Sequence, residues 1–198
     1  MHIVFSQIMA RAAIIIVAIL SLLACTTAVP VKEVFDEGTG VTISYSQQPI
    51  ILSRETPRYG AYARNVVELG AIEVNRSGTR RYFLSLGIWN TVQSSNAAEH
   101  RDWFDSIVVF ADGEPLLLDI RGWSPDAIGM SDPVYKRPVA SSVDAYFPIS
   151  LNQIRLIANA RDIRVEAVGS SLKRFELWDD QQAARQSLLA FVERVSKF

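Results

Sequence analysis

Val66-Val67-Glu68-Leu69-Gly70-Ala71-Ile72-Glu73-Val74, then Asn75-Arg76-Ser77-Gly78, then Arg80-Arg81-Tyr82-Phe83-Leu84-Ser85-Leu86-Gly87-Ile88-Trp89, is the stretch that decides the fold. Its two arms are rich in β-branched and aromatic residues. The segment between them offers Asn and Gly, the residue types that tolerate the positive φ of a tight turn. In the second arm, Tyr82, Leu84, Leu86 and Ile88 share one side of a strand, while Phe83, Ser85 and Gly87 share the other. The spacing therefore predicts a long antiparallel hairpin.

The pattern continues on both sides of it. Val41, Ile43 and Tyr45 alternate with Thr42, Ser44 and Ser46, which predicts a strand over 41–46. Ser106–Phe110 and Pro115–Ile120 flank Ala111-Asp112-Gly113-Glu114, a second hairpin, since Asp-Gly between apolar runs favours a tight turn. Asp144–Pro148 reads as a strand, and Ile163–Val168 with Leu172–Trp178 as a third hairpin around Gly169-Ser170-Ser171. Ser150 and Gln153 form a capping box, so a short helix runs to about Ala160 and buries Leu151, Ile154 and Ile157 or Ala158. From Asp179 or Asp180 a second helix begins, with Ala184, Leu188, Phe191 or Val192, Val195 and Phe198 on one face. Hairpins outnumber crossovers, so the expected class is mainly β with α (α+β). The expected architecture is an antiparallel β-sandwich or strongly curved sheet of about seven strands, with a short helix and a C-terminal amphipathic helix packed on it. Gly122–Ser142, interrupted by Pro125, Gly129, Pro133 and Pro138, reads as a long loop of the kind that is often functional or mobile.

The front end has a different character. A positive charge at Arg11 precedes an almost wholly apolar run from Ala12 to Leu23, the order of a secretion signal and too short for a stable membrane span. Leu22-Leu23-Ala24-Cys25 follows, and it resembles the lipobox of bacterial lipoproteins. That resemblance implies cleavage before Cys25, a diacylglyceryl thioether on its sulfur and acylation of the new amino group. Two or more acyl chains hold a protein on a bilayer durably. The resemblance covers the first 25 residues, and Leu23 is bulkier than the Ala or Ser usual at its position. Thr26 is not the Asp that retains enteric lipoproteins at the inner membrane, so the resemblance implies sorting to an outer membrane, facing the periplasm. The chain thus divides into a signal peptide (1–24), a lipidated tether (25–40) broken by Pro30, Gly38 and Gly40, and a single globular domain (41–198). Cys25 is the sole cysteine, so the domain has no internal disulfide.

Composition excludes several functions. Cleavage before Cys25 removes one cation, Arg11, and no carboxylate, leaving a slight acidic excess and no basic block; nucleic acid is not expected as a partner. After cleavage the only histidine is His100, which cannot build a multi-histidine zinc site. A hydrolase triad would have to use His100 with Ser94 or Ser95 and Asp102, but the chain has no Gly-x-Ser-x-Gly elbow. Gly38 and Gly40 do not form a phosphate loop, having no preceding strand and no third glycine. Asp179-Asp180 reads as helix capping, and neither that pair nor Asp102 with Asp105 has the spacing of a calcium loop. No cofactor or metal is expected.

Two regions combine arginines with aromatics, the chemistry of binding hot spots. Arg58, Tyr59 and Tyr62 lie within Arg54–Arg64; Arg121 stands just before the long loop, and Trp123, Tyr135 and Arg137 lie in it. Trp89, Trp103 and Trp178 fall in strand-like segments and are expected in the core. The expected role is a membrane-anchored, non-catalytic envelope lipoprotein that docks a protein partner. The alternatives are a small-ligand or lipid binder enclosing an apolar cavity, and, more remotely, a carboxylate-dependent enzyme acting on envelope glycans.

Overall fold

The structure, a computed structural model, describes residues 30–92, 101–169 and 172–197. Cys25 and the segment before it, Ser94, Ser95 and His100 lie outside the described residues. At the centre stands the long hairpin, β4 (Arg64–Arg76) and β5 (Thr79–Asn90), paired from Asn65↔Asn90 to Arg76↔Thr79. Ser77 (φ 49°) and Gly78 (φ 90°) make its two-residue turn, and Asn75 Oδ1 accepts the Gly78 N–H.

Around this hairpin the sheet forks. The first half of β4 pairs with β3 (Ile50–Glu55), and the second half pairs with β2 (Val41–Ser46), itself paired with β1 (Val31–Asp36). At the fork the Ser46 hydroxyl takes the place of a strand partner and accepts the Ala71 N–H at 3.1 Å. Beyond β3 the sheet continues through β10 (Lys173–Leu177), β9 (Ile163–Val168), β6 (Ser106–Ala111) and β7 (Glu114–Asp119); on the other side β5 pairs with β8 (Val143–Pro148). Every pairing is antiparallel. The sheet curls until the chain just past β7 reaches β8, where Gly122 bridges Tyr146.

One face of this sheet holds the main core. Val67, Leu69, Leu84, Leu86 and Ile88 point into it, as the alternation predicts, together with Val109, Phe147, Val165 and Phe175. Helices α1 (Leu151–Asn159) and α2 (Gln182–Val195) lie on that face, with Ile154, Ile157, Leu188, Phe191 and Val195 each at most 2 % exposed. The capping box is present: the Gln153 N–H donates to the Ser150 hydroxyl, and the Gln153 side chain accepts the Ser150 N–H. The opposite face carries a smaller core of Val41, Ile43, Tyr45, Ile72, Val74 and Phe83. This core is covered by Ile128, Met130, Val134 and Tyr135 from the 122–142 segment.

Four expectations change. The tether does not extend to Gly40, because Val31–Asp36 is strand β1; its residues are mostly exposed, so no alternation announced it. Ten strands are described rather than about seven, and β3 was also illegible, a short run that takes in Arg54 and Glu55 and leaves Thr56–Ala63 as the connection to β4. The 122–142 segment is a strap that completes a core, with a 3-10 turn at Pro125–Ile128, rather than a free loop. Trp178, expected in the core, lies just past β10 and is 37 % exposed beneath Arg64, whose guanidinium carbon is 5.3 Å from the ring centroid. Trp103 is buried, and half-buried Trp89 donates its indole N–H to Glu68.

Candidate docking surface

The arginine and aromatic residues singled out from the sequence meet different fates. On the β3–β4 connection, Arg58 is exposed and Tyr62 is 88 % exposed; the Tyr59 backbone belongs to a short 3-10 turn, and its side chain lies outside what is described. Trp123 is half-buried against the main core with Arg101 over its ring, so it is a packing residue first. Arg121 is exposed beside a shallow groove shared with Arg80, Arg81 and Tyr82. The other two arginines there are occupied: Arg80 pairs with Glu73 and donates to the Val195 carbonyl, and Arg81 donates to the Ile128 carbonyl.

Tyr135 and Arg137 are structural. The Tyr135 hydroxyl donates to the Ser46 carbonyl at 2.8 Å and lies 3.0 Å from the Ser46 hydroxyl, directly at the fork. Its ring rests on Gly70, where a Cβ would come within 2.2 Å of the phenol oxygen, and meets Tyr45 edge-on at 5.6 Å. Burial holds the phenol above the usual tyrosine range, so it stays a neutral donor. Arg137 donates twice, at 2.7 and 3.0 Å, to Oδ2 of Asp144, whose side chain is 6 % exposed. Neither side chain is available as a hot spot.

Two of the carboxylates that the fold brings together are Glu68 and Asp144, which flank Gly87 across β4, β5 and β8. Burial first, and then the neighbouring Asp144 charge, raise the Glu68 pKa against the lowering effect of the Trp89 indole. Such an asymmetry suits acid–base work in principle. The hollow between them, however, is about 10 Å³ and is roofed by Tyr135–Pro138, which is room for a single water and none for a sugar ring. Asp179 and Asp180 accept the N–H groups of Asp180 and Gln182 and so organise the entry to α2, although the helix itself starts at Gln182. Among the described residues no group of three metal-binding side chains occurs, and no helix is long and apolar enough to cross a membrane.

A hollow of about 540 Å³ forms an open groove between the β1–β2 hairpin and the strap. Its floor is apolar, made by Val34, Ile43, Tyr45, Pro133 and Val134, and its margin carries Asp36, Glu37 and Asp132 with no cation in the lining. Asp36 latches the strap: it accepts the Ser131 N–H at 2.6 Å and the Ser131 hydroxyl at 2.8 Å. Those donors hold its carboxyl down at about 2. Glu37 and Asp132 are exposed and have no ion-pair partner among the described residues. In its lining, Val34 is 41 % and Phe35 65 % exposed, on a strand that among the described residues pairs only with β2. Sequence reasoning missed this surface because it placed residues 31–40 in the tether; two adjacent exposed apolar residues, Val34-Phe35, were the available signal.

No protein family, curated protein or solved structure matches the chain.

Proposed function

We propose that this chain is a lipid-anchored envelope protein that docks a protein partner and carries out no chemistry of its own. The anchor is Cys25, acylated as the lipobox resemblance implies, with the outer membrane as the destination. The chain from Cys25 to Val31 spans at most about 20 Å, so such an anchor keeps the β1 side of the domain close to the bilayer surface. A partner reached from there is itself in or beside the membrane.

The observation that carries the docking reading is the contrast between a filled interior and an open apolar edge. A small-ligand or lipid binder needs a concave space between sheet and helix. Leu188 and Phe191 of α2 fill that position and are at most 1 % exposed. Exposed apolar surface rimmed by polar groups is, by contrast, the ordinary mark of a contact site.

The anchor is tested by metabolic labelling with a clickable fatty acid. The wild-type protein becomes labelled and fractionates with membranes, and Cys25→Ser loses both; label-free wild type, or unchanged fractionation of the serine variant, refutes the anchor. Docking is tested by mild crosslinking in intact cells, which yields a single defined adduct on this reading. A smear, or no adduct, refutes it.

A further inference from the structure

We infer that the groove beside β1 receives an extended peptide segment of the partner, with apolar residues alternating with Lys or Arg, which adds as a strand to the free edge of β1. This rests on the docking reading and names the partner chemistry that the surface selects.

Three observations converge. The first is the backbone. Gln47 N–H donates to the Pro30 carbonyl, and this fixes the phase of the β1–β2 ladder. Alternation then turns the N–H and C=O groups of Glu33 and Phe35 away from β2. Among the described residues no strand pairs on that side. The other terminal strands, β7 and β8, are not equivalent, since the chain past β7 curls back and Gly122 bridges Tyr146 of β8. Unprotected edges accept an added strand, and main-chain hydrogen bonds supply its affinity.

The second is shape. Val34, paired with Ile43, and Phe35, paired with Thr42, are exposed apolar residues of β1 in the lining of the groove, so the apolar face of an added strand finds contact there. The third is charge. Glu37 and Asp132 stand free at the groove margin, whereas Asp36 is taken by the strap and Glu33 by Arg194, 2.9 Å away. Two unneutralised carboxylates beside an apolar floor favour a cationic segment and repel an acidic one. They also disfavour the alternative of an anionic lipid surface.

The test uses the full-length protein in neutral detergent micelles. Two fluorescent hexapeptides serve as probes, one alternating Lys with Val and one alternating Glu with Val. On this inference the Lys peptide binds, the Glu peptide does not, and binding slows amide exchange at Glu33 and Phe35. Reversing the rim with Glu37→Lys and Asp132→Lys weakens the Lys peptide by about tenfold. These exposed positions leave the fold intact, and an unchanged thermal midpoint verifies that. Failure of the Lys peptide to bind, protection elsewhere than β1, or equal binding to the reversed variant overturns the inference. Protection of β1 by neutral vesicles alone, or by self-association, overturns it as well. If the crosslinked adduct of the intact protein persists while the peptide fails, only the partner chemistry is wrong; if both fail, the docking reading falls with it.

Discussion

The β3–β4 connection and the 122–142 strap have the same composition, arginine beside tyrosine with proline and glycine as punctuation, yet the fold treats them oppositely. Tyr62 projects almost wholly into solvent, whereas Tyr135 is pinned at the fork of the sheet. The difference lies in what the rest of the chain presents. Gly70 opens a slot for the Tyr135 ring, Ser46 supplies hydrogen-bonding groups, Asp36 holds the strap at Ser131, and Asp144 takes Arg137. Among the described residues nothing equivalent faces Tyr62, which is 88 % exposed. Composition marks a residue as able to bind; the partner groups decide whether it binds its own chain or another.

Filling the slot should break this contrast most severely. Gly70→Ala puts a methyl group 2.2–2.4 Å from Tyr135 atoms. It should cost about 2–3 kcal/mol in denaturant unfolding, in the range of overpacked sites. In a Tyr135→Ala background the same change should cost much less, and additive costs would mean that the two residues do not meet.

Next comes the ion pair. Arg137→Ala leaves the Asp144 carboxylate beside Glu68 without its cation, an expected loss of roughly 1–2 kcal/mol after allowing for the exposure of Arg137. Chemical denaturation measures it, and a loss near zero would return Arg137 to the list of free surface cations.

The latch at Asp36 should be visible as a pH effect. Its carboxyl is lowered to about 2 by the Ser131 donors. Its contribution is therefore complete above the unfolded value near about 4 and disappears as pH falls towards 2. Protection of the Ser131 amide against exchange should follow that fall, and Asp36→Ala should lack the protection at every pH. The smallest effect belongs to the other region: Tyr62→Ala should change stability by no more than about 0.5 kcal/mol.

Much of the fold was legible because its signals are local. The Asp112-Gly113 turn has positive φ at both residues, the capping box closes at Ser150 and Gln153, and the buried face of α2 follows helical spacing. β1 and β3 were not legible, because their neighbours define them: β1 is an edge with little to bury, and β3 exists by pairing with β4 and β10. For the same reason the groove could not be foreseen, since its two walls, β1–β2 and residues 131–134, are almost a hundred positions apart and are joined by Asp36 and Ser131. Of the residues proposed for binding, Arg58, Tyr62 and Arg121 remain on the surface, and Tyr135 and Arg137 are accounted for inside the fold.

Photocrosslinking in intact cells, with the reactive side chain at Phe35 in one variant and at Leu117 in another, tests the docking account most directly. Both positions are 65 % exposed on terminal strands, but only β1 borders the groove. A defined protein adduct from position 35, absent from position 117 and abolished by Glu37→Lys with Asp132→Lys, is the expected result. Equal adducts from both positions, or none from position 35, would contradict it.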